Sequence, residues 1–161
     1  MSRLSRWFLV AVVGFGVGLA SPVFAQDAHV GTWKQNFAKS KSDPAPTAPA
    51  PQSITRTYEK FGDGLKFTQV TVSADGKSTT STYSAHYDGK EYPLTGNANA
   101  DIISLKRIDA STFESTLKKA GKIVNTGRNT VSADGKTMTY TSKGTNASGQ
   151  PTSATTIFDG Q

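Results

Sequence analysis

From Val30 to the C-terminus, clusters of turn-forming residues interrupt the chain at short, even intervals. Gly62-Asp63-Gly64, Ala74-Asp75-Gly76-Lys77, Asp88-Gly89-Lys90 and Gly96-Asn97-Ala98-Asn99 come first. Asp109-Ala110-Ser111, Ala120-Gly121, Ala133-Asp134-Gly135-Lys136 and Gly144 to Gln150 follow. Asp followed by Gly supplies the positive φ that a tight hairpin needs. The segments between these clusters are rich in threonine and alternate in polarity, as half-buried pleated strands do. No segment carries a helical repeat. About ten short strands joined by short turns favour an all-β, single antiparallel up-and-down barrel of about 8–10 strands, which removes sheet edges by closing on itself. A β-sandwich is the alternative. The hexapeptide Val-Ser-Ala-Asp-Gly-Lys occurs twice, at Val72 to Lys77 and Val131 to Lys136. Its flanks do not match, so two copies of one good turn explain it without a duplicated half-barrel.

The first strand is Val30 to Phe37. It contains Trp33, the only tryptophan after the first 25 residues, and Gly31 two positions earlier permits close approach of another backbone. A single large aromatic in that place plugs one end of a barrel, and Trp33→Ala is expected to cost about 3–5 kcal/mol. Lys34, Lys106 and Lys118 should point to water. The opposite parity then sends Trp33, Gln35, Ile103, Leu105, Phe113 and Leu117 inward. Residues 39–52 read as a loop or strap, because four prolines from Pro44 to Pro51 remove backbone donors and favour extended geometry.

Residues 1–25 read as a signal peptide, leaving a β-barrel domain over residues 26–161. Arg3 and Arg6 form a positive n-region, Trp7 to Ala20 an apolar run, and Val23-Phe24-Ala25 a small-residue cleavage signal. A transmembrane anchor is the competing reading, but the run is short for a bilayer. The style of leader suits a bacterial periplasmic or secreted protein. The chain contains no cysteine, which removes disulfides, thiol nucleophiles and thiolate metal sites. Loss of residues 1–25 takes away two arginines and no acid, so the formal charge falls from +6 to +4. Lys and Arg are scattered, without the clustered stacking aromatics of a nucleic-acid surface, so neither nucleic acid nor a stable membrane anchor is expected.

Several stretches carry a resemblance. Gly31-Thr32-Trp33-Lys34 resembles the opening of lipocalins and of fatty-acid-binding proteins. The same stretch, together with Ala38-Lys39-Ser40-Lys41, Tyr87-Asp88-Gly89-Lys90, Tyr92 to Gly96, Ser104 to Asp109, Val131 to Thr139 and Lys143-Gly144-Thr145, resembles a family of small uncharacterised exported bacterial β-barrel proteins. The resemblance implies a lipocalin-like, calycin-type barrel and brings no established activity. In lipocalins the tryptophan packs against a basic residue from a late strand, and Arg128 is the nearest candidate here. The helical lid of fatty-acid-binding proteins has no counterpart; the proline strap occupies its place.

Catalysis finds little support. His29 and His86 are the only histidines, and no nucleophile elbow, His-Glu-x-x-His or phosphate-cradling loop occurs. Most aspartates fall in turns, where forming the turn accounts for them. No enzyme activity, cofactor or metal is therefore expected. The inward face is more informative, because tyrosines, glutamines, asparagines and arginines replace the aliphatics of a barrel filled only for stability. Trp33, Arg56, Tyr58, Phe67, Tyr83, Leu105 and Arg107 are the candidate ligand-binding residues. Arg56 lies between Ile54 and Tyr58 in an alternating segment, and Arg107 has the parity of Leu105. If Arg56 faces inward it needs an anion, and a bound headgroup with its tail against Phe67, Tyr83 and Leu105 would supply one. A flipped or bulged strand would instead leave it in water. The expected function is an exported lipocalin-like binding protein for a small hydrophobic or amphipathic ligand. A structural or interaction barrel of the envelope, without a cavity ligand, is the alternative.

Overall fold

The computed structural model describes residues 27–146 and 148–161. The leader and its cleavage point after Ala25 lie outside the described residues. Ten antiparallel strands follow in order: β1 (Gly31–Asp43), β2 (Ser53–Phe61), β3 (Gly64–Val72), β4 (Ser78–His86), β5 (Tyr92–Pro93), β6 (Ile102–Asp109), β7 (Thr112–Lys119), β8 (Lys122–Val131), β9 (Thr137–Thr145) and β10 (Pro151–Gly160). They form one sheet in the order β4-β3-β2-β1-β10-β9-β8-β7-β6-β5. Consecutive strands are neighbours except β4 and β5, which form the two edges, and the first pairs with the last. The sheet curls until its two edges meet: Thr82 of β4 and Thr95, just beyond β5, exchange two backbone hydrogen bonds of 3.0 Å. The result is a nearly closed barrel without helices among the described residues.

The turns form as their residues require. In both copies of the repeated hexapeptide the serine hydroxyl donates to the aspartate at 2.6 Å, in Ser73 to Asp75 and in Ser132 to Asp134. Gly76 and Gly135 then take positive φ, and each donates its amide back to the serine carbonyl at 2.9 Å. Hydrogen bonds from those serines, aided by turn amides, hold both aspartates below the usual carboxylate range. The repeat is thus a local turn device.

One strand is longer than its sequence suggests. The loop expected over residues 39–52 begins only after Asp43, because β1 continues along β10, pairing Lys41 with Thr155 and Asp43 with Ser153. An irregularity between Asn36 and Lys41 makes this possible. There Ser40 Oγ donates to the Asn36 carbonyl at 2.7 Å and accepts from the Ile157 amide at 3.0 Å, so a side chain completes the interrupted ladder.

The core is one cluster that includes Trp33, Tyr58, Leu65, Phe67, Tyr83, Ala85, Leu105, Phe113, Val131, Met138 and Phe158. Lys34 and Lys106 are exposed, whereas Ile103, Leu105 and Phe113 are buried, in keeping with the alternation.

Candidate functional site

The two ends of the barrel differ in chemistry. At the packed end the segment before β1 folds across the opening. Trp33 is 3 % exposed, and its indole Nε1 donates to the His29 carbonyl at 2.8 Å. His29 is buried too, with its ring 4.6 Å from that of Phe113 and its Nδ1 3.0 Å from Asp27 Oδ1. The Asp27 carboxylate also accepts from the His29 amide, from the Tyr87 hydroxyl at 2.8 Å and from the Arg107 guanidinium. Burial alone would raise the pKa of this carboxyl. The hydrogen bonds from His29 and Tyr87 outweigh that and hold it well below the usual range. The guanidinium of Arg107 lies 4.0 Å above the Tyr87 ring, completing a clamp over the plugged end.

Toward the other half, the inward side chains become polar and only partly buried. Arg56 of β2 faces the interior with Ile54 and Tyr58. Its guanidinium carbon lies 4.3 Å from the Phe158 ring centroid, 5.0 Å from that of Tyr140 and 5.8 Å from that of Phe67. Its Nε donates to Gln69 Oε1 at 2.9 Å, and Gln69 Nε2 donates onward to Thr71 at 3.3 Å. Among the described residues no carboxylate lies within ion-pairing distance of Arg56. Three ring faces attract the cation without neutralising it.

A cavity of about 80 Å³ opens beside this guanidinium. Arg56, Tyr58, Phe67, Gln69, Tyr83 and Tyr140 line one part of it, and Ser115, Leu117 and Asn129 another. Phe67 and Tyr83 stack with centroids 4.6 Å apart. Burial pushes the Tyr58, Tyr83 and Tyr140 hydroxyls up, with the Arg56 charge opposing in each case, so all three phenols stay neutral. Gly127 of β8 shapes one wall, because a Cβ there would sit 2.2 Å from the Tyr140 ring. Only glycine lets that ring lie flat across the strand. Asn129 is 3 % exposed, and its Oδ1 has no hydrogen-bond partner among the described residues.

The seven residues proposed from sequence therefore separate. Arg56, Tyr58, Phe67 and Tyr83 share the cavity. Leu105 is fully buried in the core and does not reach the cavity, so it offers no wall to a ligand tail. Trp33 and Arg107 belong to the plugged end. Arg107 keeps the parity of Leu105, but it sits where the barrel ends and turns over Tyr87 to meet Asp27. Arg128 does not approach Trp33; it pairs with Glu114 at 2.6 Å on the outer face. Sequence reasoning missed Asn129, Ser115 and Tyr140. The alternation Asn125, Gly127, Asn129, Val131 contained the signal for Asn129, since Val131 marks the inward face.

Elsewhere, a wider concavity of about 970 Å³ lies over the outer face of β7 to β10, lined by Glu114, Thr126, Arg128, Thr141 and Thr155 among others. It is open to solvent, and its Arg128 and Glu114 satisfy each other. The smaller interior cavity is the better candidate, because, of the two, it holds a buried polar atom, Asn129 Oδ1, without a partner among the described residues; the other such atom, His29 Nε2, lies at the plugged end. Both histidines are engaged by carboxylates, His86 Nδ1 contacting Asp63. No three His, Asp or Glu side chains gather as a metal site among the described residues.

No family model matches the sequence, and no curated protein matches it either. Solved structures do match. The zebrafish ileal bile acid-binding protein, crystallised with cholic acid, superposes with a TM-score of 0.52 over 83 % of this chain and 99 % of its own, at 13 % identity. The fold is a calycin-type barrel. In this chain that barrel is the single ten-stranded sheet with its first-to-last pairing and its near closure between β4 and Thr95.

Proposed function

We propose that the chain is an exported binding protein for a small amphipathic molecule with an anionic headgroup, held inside the barrel at Arg56. One observation carries this reading. A guanidinium in the interior has rings and an amide around it but, among the described residues, no carboxylate within reach. A partly desolvated cation without a counter-ion is costly, and an incoming carboxylate or phosphate would reduce that cost through charge-assisted hydrogen bonds. The zebrafish neighbour, solved with cholic acid, supports the idea that a barrel of this shape accommodates an amphipathic molecule. The cavity also limits the ligand. At about 80 Å³ it is far smaller than the roughly 300–1,000 Å³ of a site that encloses a drug-sized molecule. It takes a headgroup, and an apolar tail has to run toward the half-buried Ile54 and Leu117, away from Leu105.

Calorimetric titration with octanoate tests the reading. Saturable binding is expected, weakened roughly tenfold or more by Arg56→Gln, which removes a charge-assisted contact. Equal affinity in both proteins, or no saturable binding in either, contradicts it. Export forms part of the proposal and rests on the three-part leader. The secreted or periplasmic chain should have the intact mass of residues 26–161, and a chain retaining Met1 ends that part.

The small cavity favours a second reading, a filled structural or interaction barrel whose function lies on its outer surface. In that case Arg56 is satisfied by its aromatic cage and interior water, and octanoate does not bind.

A further inference from the structure

Asn129 poses a question that an anion at Arg56 leaves unanswered. It is 3 % exposed and lines the interior cavity, and its Oδ1 has no partner among the described residues. An unpaired amide in that setting costs free energy comparable to a lost hydrogen bond, so interior amides are usually bonded to protein or water. Asn129 is also close to the cation. It stands directly opposite Tyr140 across the β8–β9 ladder, and the Tyr140 ring is the one 5.0 Å from the Arg56 guanidinium. Two polar side chains of the same cavity region are already engaged. The Tyr140 hydroxyl is committed to Asn125 Oδ1 at 2.9 Å, and Gln69 is committed to Arg56 and Thr71.

We infer that the ligand carries a hydroxyl close to its anionic group, the anion meeting Arg56 and the hydroxyl meeting the Asn129 amide. The inference rests on the proposed anion-binding function and narrows its ligand class to hydroxylated acids. A hydroxyl both donates and accepts, so it satisfies an amide in either of its two orientations. The cavity volume sets the spacing. In about 80 Å³ the two polar contacts must come from atoms only a few bonds apart, so the hydroxyl belongs on the carbons next to the headgroup. A site built to bond a hydroxyl also discriminates against the analogue lacking it, because the amide is then left unpaired.

Matched probes on the mature chain test this: octanoate, 2-hydroxyoctanoate and 3-hydroxyoctanoate, titrated by calorimetry against wild type, Asn129→Leu and Arg56→Gln. In wild type at least one hydroxy acid should bind roughly tenfold more tightly than octanoate, the usual value of one buried hydrogen bond. Asn129→Leu should bring that ratio to about one while still binding octanoate, and Arg56→Gln should weaken all three acids. Equal affinities for the three acids in wild type overturn the hydroxyl inference and leave anion binding standing, with a fixed water serving Asn129. A preference that persists in Asn129→Leu overturns the assignment to this residue. No saturable binding of any of the acids overturns the anion-binding function itself. Thermal unfolding of each variant, measured alongside, separates a lost site from a lost fold.

Discussion

The same ten strands build two unlike halves. In the plugged half, inward positions are filled by Trp33, Leu65, Leu105 and Met138, and its carboxylate is surrounded by donors from His29, Tyr87 and Arg107. In the other half, the same alternation delivers Ile54, Arg56, Gln69, Leu117, Asn125 and Tyr140, all only partly buried. In the first half the charged groups are paired with one another, and the one buried polar atom without a partner among the described residues is His29 Nε2. In the second half a cation lacks a counter-ion and an amide lacks a partner. One end therefore seals the barrel with paired charges, and the other sets an unpaired cation and an unpaired amide around a cavity.

The largest expected effect lies at the plugged end. Trp33→Ala should lower stability by about 3–5 kcal/mol, the usual range for truncating a core aromatic. Chemical denaturation measures this, and the wild-type emission should be that of an indole shielded from water. An unchanged midpoint would mean that the plug is not what holds this end. By contrast Arg56→Met, in the open half, should leave stability unchanged or raise it slightly without ligand, since it removes an unpaired cation and keeps the apolar stem's volume. If both substitutions cost the same, the distinction between the halves fails.

The clamp should give the plugged end a pH dependence. Asp27 has a folded pKa below its unfolded value, so the folded state binds fewer protons than the unfolded state in acid. Its contribution is therefore fully present above the ordinary carboxylate range and is lost as pH falls from about 5 toward the much lower folded value. Asp27→Asn should cost about 2 kcal/mol near neutrality, the scale of hydrogen bonds to a charged group, and should flatten the acid slope of the unfolding midpoint. Identical acid profiles for the two proteins would remove Asp27 from the account.

A smaller effect belongs to the wall of the cavity. Gly127→Ala places a methyl against the Tyr140 ring and should cost about 1–2 kcal/mol by forcing that ring to move. It should also weaken octanoate binding, because Tyr140 flanks Arg56. Stability lost with affinity unchanged would show that this wall does not shape the site.

Most of the barrel was legible because its signals are local. Aspartate–glycine pairs fix turns through hydrogen bonds within a few residues, as Ser73, Asp75 and Lys77 do. Alternation then assigns faces, and it directed Arg56, Tyr58, Phe67 and Tyr83 correctly to one interior. What failed to show was depth along the barrel axis. Parity says that Leu105 and Arg107 point the same way, but only the register between strands shows one sealed in the core and the other beyond its end. The Asp27–His29 plug escaped notice for a related reason. Its partners Tyr87 and Arg107 lie 60 and 80 residues away, and no short-range pattern joins them. The extension of β1 depended on Ser40 bridging to Ile157, again a contact without local signature.

Native mass spectrometry of the protein, purified from its own host without denaturation, tests the central claim most directly. The account predicts wild type carrying a small acidic molecule that dissociates on unfolding, and Arg56→Gln, still folded, running at the mass of the polypeptide alone. Both proteins at the bare polypeptide mass, or both carrying the same adduct, would contradict a ligand held by Arg56.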